Sequence, residues 1–428
     1  MFNKLKIISK NSKFFRQVSI LAGGTALGQL VSIAVSPALT RLYTPQSFGI
    51  LAVYTSIITI ISIAASLRYE LAIPITKKDE DVVNLITLSF SILIITTLLF
   101  SGFLWFTGAK ITLSLNISQI NPYLWLFPIG MLATGIYQIF NYVAIRLQIF
   151  TTLARTKLYQ GISQAVVQLF WGIIFGSNPV GLIFGQVISQ SAGTSTLVHK
   201  SRSVLQELRK QITIQSLLIT ANRHRRFPIF SASSALINNA GLQLPSIILM
   251  SLYGPQVAGL YALGERLTRL PLNLIGQSIS QVYLSEASRK ANEDVSFLHH
   301  LFLKTSKNLL FACVPLGLLF LVTTPLYPVV FGRSWSEAGI YVLVLTPMVL
   351  ARFVVTPLSQ TLNILERQDL QLVWDVARLM GTFVSLFIPH YFGWQPLYAI
   401  LTYSVVMLIA YFTLYWLTVF VMNRKLSS

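Results

Sequence analysis

Two arginines three residues apart, Arg266 and Arg269, stand in a stretch otherwise made of apolar and small residues. Residues three apart share a helix face, and Asn273 extends that face. A guanidinium is a planar fork that holds phosphate oxygens two at a time, so this spacing predicts an anion-binding wall. Glu265 precedes Arg266 by one position and Arg269 by four, and reads equally as their counter-ion or as a site for Na+ or H+. Arg352 has no acidic neighbour within a helical turn, so it needs a partner on another element, water or a bound anion. Asp375 and Arg378, three apart, read as an intrahelical pair or a gate, and Arg68 with Glu70 closes an apolar run where side chains snorkel to an interface. Asn238, Asn239 and Gln243 offer hydrogen bonds either across helices or to the hydroxyls of a sugar.

Other patterns carry less. The run Lys77-Lys78-Asp79-Glu80-Asp81 contains the acid-x-acid spacing of metal-bound nucleotide sugars, but no nucleotide-binding domain accompanies it, and acids favour a helix N-terminus for electrostatic reasons alone. His299 and His300 lack convergent ligands, and the single Cys313 permits neither an internal disulfide nor a thiolate cluster, so no metal is expected. There is no Gly-x-x-x-x-Gly-Lys-Ser/Thr loop, hence no expected ATP hydrolysis and no cofactor beyond Na+ or H+ as a coupling ion.

The elements that position these residues follow from composition. With 54% hydrophobic and 11% charged residues in 428, the chain falls far from a soluble domain, where about 25% are charged. Apolar runs of roughly 20 residues predict an all-α polytopic membrane protein with twelve spans, from Val18–Leu39 to Pro396–Val421, the sixth at Val180–Val198 and the eighth at Val257–Tyr283. The net charge of +19 would suggest nucleic acid in a soluble chain. Here, with both termini cytoplasmic, the outside gaps hold only Arg41, Lys110 and Arg333, and Arg266, Arg269, Arg352 and Arg378 lie within spans. The remaining basic residues all fall inside, so the charge records orientation and no nucleic-acid partner is expected. Each intramembrane charge costs at least ~2.5–3.5 kcal/mol and marks a functional candidate. Counting from Val257, Arg266 and Arg269 lie ~14 and ~18 Å down the eighth span, near the midplane.

A repeat organises the spans. Leu42-Tyr43-Thr44-Pro45-Gln46-Ser47-Phe48-Gly49 and Leu252-Tyr253-Gly254-Pro255-Gln256-Val257-Ala258-Gly259 share Leu, Tyr, Pro, Gln and Gly at an offset of 210. Both copies sit in the turn joining the first two helices of a six-helix half. An even number of spans separates them, which predicts two parallel halves around a central cavity. The expected divisions are a basic N-terminus (1–17), a first half (18–199), a basic amphipathic linker (200–227), a second half (228–421) and a short tail (422–428). Val204, Leu205, Leu208, Ile212 and Ile219 at helical spacing predict a linker helix lying on the inner membrane surface. The outside gaps are short, leaving no room for an extracytoplasmic catalytic domain.

Over nearly its whole length the chain resembles the polysaccharide and O-unit flippases of the multidrug/oligosaccharidyl-lipid/polysaccharide exporter superfamily. The carriers are Arg41-Leu42-Tyr43-Thr44-Pro45 with Phe48-Gly49; Arg68-Tyr69-Glu70-Leu71-Ala72-Ile73-Pro74; Gly181-Leu182-Ile183-Phe184-Gly185; Gly259-Leu260-Tyr261-Ala262-Leu263-Gly264-Glu265-Arg266 running to Leu270-Pro271; and Phe331-Gly332 with Trp335 and Ala338-Gly339. The resemblance implies a bacterial inner-membrane protein moving an undecaprenyl-pyrophosphate-linked oligosaccharide to the outer leaflet. For that cargo the arginines read above, Arg266, Arg269 and Arg352, are the expected pyrophosphate ligands and Asp375 with Arg378 an expected gate, while the resemblance itself favours a cavity-mouth or gating role for Arg68 and Glu70. Membrane lipids, a polysaccharide polymerase and chain-length machinery are the implied partners. A drug/cation antiporter of the same fold, or a membrane glycan polymerase or ligase, are the alternatives.

Overall fold

The structure, a computed structural model, describes residues 20–76, 78–207, 213–290 and 295–427. The expected basic N-terminus, 1–17, lies outside the described residues, as do Leu208 and Ile212 of the linker. Among the described residues every regular element is helical, and ten helices are long and apolar enough to cross a membrane. In chain order the helices are α1 (Ile20–Leu42), α2 (Pro45–Ala64), α3 (Asp79–Ser114), α4 (Leu126–Arg146), α5 (Phe150–Phe175), α6 (Pro179–Ser191), α7 (Thr194–Glu207) and α8 (Ile214–Arg223). They continue with α9 (Ser233–Tyr253), α10 (Pro255–Pro271), α11 (Gln277–Lys290), α12 (Val295–Thr323), α13 (Ser336–Leu358), α14 (Gln368–Tyr391) and α15 (Pro396–Ser427).

The helix starts obey local chemistry. Pro179 and Pro255 occupy first helical positions, where a missing N–H costs nothing, and Asn178 caps α6 by accepting from the Val180 N–H at 3.0 Å. Two of the twelve expected spans, the sixth and the eighth, are not among the ten long, apolar helices. The sixth stops at Ala192-Gly193 because Gly193 takes φ +79, a conformation that a residue with a Cβ adopts at a cost, and the chain resumes as α7. The eighth ends as α10 at Pro271, which has no N–H for the helical ladder, and passes through a π turn (Leu272–Gly276) before α11. Both segments stay helical on either side of the break, so the order of twelve helical segments holds.

Contacts divide the chain into two units: one of residues 1–43 and 53–236, the other of 44–52 and 237–428. The first unit centres on Ala65, Tyr69, Ile73, Leu85, Leu93 and Ile139. Its α3 presents Leu98, Leu99, Trp105 and Phe106 outward, an apolar exposure that suits lipid. The linker helix α8 belongs to this unit. A capping box of Thr213 and Ser216 starts it, and it docks on α3 through Arg223 to Asp81 at 2.7 Å and the Ser216 hydroxyl to Asn84 Oδ1 at 3.2 Å. Asp81 thus serves the linker as an ion-pair partner. The opposite face of α8 leaves Ile214, Leu218 and Ile219 exposed, as a helix lying on an apolar–aqueous boundary requires.

In the second unit the two copies of the repeat meet. Gly49 lies against the carbonyl of Pro255, and Gly259 lies against the carbonyl of Pro45, so each copy makes the same contact with the other. Gln46 Nε2 donates to Gln256 Oε1 at 3.2 Å, pairing equivalent residues, and Phe48 packs edge-on against the fully buried Trp335 at 4.9 Å. A Cβ at either glycine would overlap a backbone carbonyl. Gly49→Leu and Gly259→Leu should therefore each destabilise the protein by more than the ~1–3 kcal/mol of ordinary overpacking, seen as a lowered melting temperature of the detergent-purified protein. Gly102→Ala, in α3 with open space around it, should leave the melting temperature unchanged or raise it.

Candidate functional site

On α10 the residues Tyr261, Glu265 and Arg269 recur every fourth position and form one stripe. Arg269 donates from Nε at 3.1 Å and from Nη2 at 2.7 Å to the same Glu265 oxygen. Tyr261 is fully buried, its ring 6.5 Å from that of Tyr403 on α15. The Glu265 charge acts on both tyrosines, and the half-buried Arg352 of α13 acts on Tyr403. The second unit thus places Glu265 and Arg269 within electrostatic reach of Tyr261, and Glu265 and Arg352 within reach of Tyr403. Arg266, one residue further round α10, is also half-buried and has its own interactions. The side chain of Asn273 lies outside the described residues.

The pair expected within α14 forms deep in the same unit. Arg378 Nη2 donates to Asp375 Oδ1 at 3.0 Å, with both side chains nearly inaccessible. The same nitrogen reaches Asn238 on α9, at 2.8 Å to Oδ1 and 3.2 Å to the carbonyl, while the guanidinium sits 4.8 Å over the Trp374 ring. Gly241, one turn along α9, has no side chain to fill the space the guanidinium takes. Trp374 donates to the Ala410 carbonyl at 2.7 Å, so one arginine links α9, α14 and, through the indole, α15. Asn238 is committed to this tie. Asn239 and Gln243 are half-buried on the same helix and interact with neighbours.

In the first unit Arg68 and Glu70 stand where the chain leaves α2. It passes through Leu67 and Arg68 at φ 51 and 64, then enters a 3-10 turn, Tyr69–Ile75. Glu70 is 2% exposed and accepts from the Ser66 hydroxyl at 2.6 Å. Burial pushes its carboxyl up from its ordinary pKa, with the Ser66 hydrogen bond and the Arg68 charge opposing. Both residues border a cavity of about 330 Å³ whose other walls come from α4, α5 and α6. On α5, Lys157 Nζ lies 4.6 Å over the Tyr137 ring.

Sequence reasoning placed Arg68 and Glu70 together but missed the polar residues of α4 to α6 that complete the cavity, because those belong to different helices. It also missed Tyr261 and Tyr403. The four-residue spacing of Tyr261 before Glu265 was a legible signal; nothing marked Tyr403. Among the described residues no cluster of three or more His, Cys, Asp or Glu is placed to hold a metal ion.

A family model described as "Polysaccharide biosynthesis protein" matches residues 38–339. A comparison with curated proteins finds no match. Among solved structures, the fold is similar to an inward-facing multidrug resistance MATE family transporter of the MOP superfamily, at TM-score 0.77 and 12% identity over 94% of this chain and 96% of that one. It is similar to the lipid II flippase MurJ in an inward closed conformation, at TM-score 0.73 and 11% identity over 92% and 86%. A point mutant of the Vibrio cholerae MATE transporter VcmN is similar at TM-score 0.64 and 15% identity over 97% and 98%. At these identities the likeness is one of fold.

The two ion pairs should separate on mutation. Arg378→Gln or Asp375→Asn removes one partner of a buried pair and should cost ~3–5 kcal/mol, seen as loss of folded protein in the membrane. Arg269→Ala, in the half-buried pair, should leave membrane abundance unchanged.

Proposed function

The chain belongs to the polysaccharide biosynthesis protein family, and on that premise we propose that it is a flippase for an isoprenoid-pyrophosphate-linked oligosaccharide repeat unit, the undecaprenyl carrier being the lipid. It moves the unit from the cytoplasmic to the outer leaflet of the bacterial inner membrane by alternating access, for surface polysaccharide assembly. The observation that carries the reading is the gathering of Arg269 and Arg352 with Glu265 around Tyr261 and Tyr403, on helices that are otherwise apolar.

The physics supports that cargo. A pyrophosphate carries two or more negative charges, and taking it unaided into hydrocarbon costs many kcal/mol. Fixed guanidinium groups replace the lost hydration while the lipid tail stays in the bilayer. Arg266, Arg269 and Arg352 hold the pyrophosphate. Glu265 occupies Nε and Nη2 of Arg269 and fixes its direction, which leaves Nη1 for an incoming phosphate oxygen. Na+ or H+ serves as the coupling ion. A drug or cation antiporter would need free carboxylates for a positive cargo, whereas Glu265 is held by Arg269 and Asp375 by Arg378.

Depleting the protein in its native cell tests the reading with a membrane-impermeant sugar probe applied to intact and opened spheroplasts. The lipid-linked unit should accumulate on the cytoplasmic face, with loss of surface glycan. Accumulation of unpolymerised unit on the outer face would instead favour a polymerase or ligase.

A further inference from the structure

The cavity of the first unit is not among the groups assigned above to the pyrophosphate, and its wall is polar. Amide and hydroxyl side chains, among them Thr134, Gln138, Asn141 and Gln190, outnumber the charged ones, which are Arg68, Lys157 and Glu70. Three atoms on this wall are buried and have no hydrogen-bond partner in the protein: Arg68 Nε, Thr134 Oγ1 and Gln190 Oε1. A buried polar atom left unpaired costs ~1–3 kcal/mol, and a small rotation of each of these side chains toward the cavity would let a polar occupant pair it. Leu67 and Arg68 both hold left-handed backbone conformations, each a strain of ~1–3 kcal/mol for a residue with a side chain, at the point where the chain delivers Arg68 to the cavity.

The charge arithmetic narrows the occupant. Two cations against one carboxylate leave a single net positive charge, and Glu70 would repel a second negative charge on the ligand. A pyrophosphate therefore fits poorly. A polyol bearing one carboxylate fits well: its carboxylate meets the Arg68 fork, its hydroxyls meet donors and acceptors such as Gln138, Asn141 and Gln190, and Tyr142 supplies an aromatic surface. At about 330 Å³ the space lies at the lower end of the ~300–1,000 Å³ of small-ligand sites. We infer that this cavity is a glycan subsite that takes an acidic sugar of the cargo, with its carboxylate on Arg68. The inference rests on the flippase reading for its cargo and adds the class of sugar.

The test is isothermal titration of the detergent-purified full chain with D-glucuronate, against D-glucose, acetate and inorganic phosphate as controls. Glucuronate should bind at least about tenfold more tightly than glucose or acetate. Arg68→Gln should weaken it by a further factor of about ten or more, the loss of one charge-assisted contact. Gln190→Leu, which keeps every charge and fills the place of an unpartnered acceptor, should weaken glucuronate while sparing the folded state, and Arg333→Gln, an exposed charge control, should change nothing. Absence of glucuronate binding, or binding indifferent to both Arg68→Gln and Gln190→Leu, would overturn the subsite. Equal binding of acetate or phosphate would make it a simple anion site, and heat on adding Na+ alone with none on adding glucuronate would make it a coupling-ion site; either result overturns the proposal. If glucuronate fails while the leaflet assay shows cytoplasmic accumulation, the subsite falls and the flippase reading stands.

Discussion

A charged side chain within apolar helices must be paired, hydrated or matched to a ligand, and much of this molecule is arranged around that requirement. Arg378 meets it with Asp375, Asn238 and the Trp374 ring. Arg269 meets it with Glu265. Arg146, at the end of α4, meets it with the carbonyls of Ile73 and Thr76 in and just after the 3-10 turn. Arg68 meets it with the nearby charge of Glu70, and its buried Nε, like that of Arg378, has no hydrogen-bond partner in the protein. These solutions form a gradient from structural to functional: the more partners a guanidinium has in the protein, the less of it is left for a cargo.

The same reasoning separates two kinds of buried polar group. In the tie centred on Arg378 one nitrogen serves three acceptors on α9 and α14, and the guanidinium lies over an indole that itself holds α15. Its loss should be felt as instability. The group around Tyr261 and Tyr403 has half-buried arginines at its edge and a carboxylate held by Arg269. Its loss should be felt in transport. In the first unit the cavity beside Glu70 is a third case, in which backbone strain and unpaired atoms coincide.

What the sequence made legible was what repeats along one helix. Apolar runs set the order of the segments, the offset of 210 marked the Pro-Gln-Gly turns that meet in the fold, and three- and four-residue spacings pointed to the Arg378–Asp375 and Arg269–Glu265 pairs. The interruptions at Gly193 and Pro271 were less visible, because hydropathy runs smoothly across a single glycine or proline while backbone geometry does not. Contacts between helices were invisible: the reach of Arg378 to Asn238, the pairing of Tyr261 with Tyr403, and the docking of Arg223 on Asp81, whose acid run has the look of a metal motif. One sequence records which residues exist but not which turn of a distant helix faces them.

The central claim is that the chain itself carries a pyrophosphate-linked glycan across a bilayer. The most direct measurement reconstitutes the purified protein in liposomes containing a fluorescent polyisoprenyl-pyrophosphate oligosaccharide and adds a membrane-impermeant quencher from outside. The account predicts that inner-leaflet probe becomes quenchable in protein-containing vesicles, and that Arg352→Ala slows this at equal reconstitution. If the protected fraction stays at the level of protein-free vesicles with the pyrophosphate-linked probe, under imposed Na+ and H+ gradients, the claim is wrong.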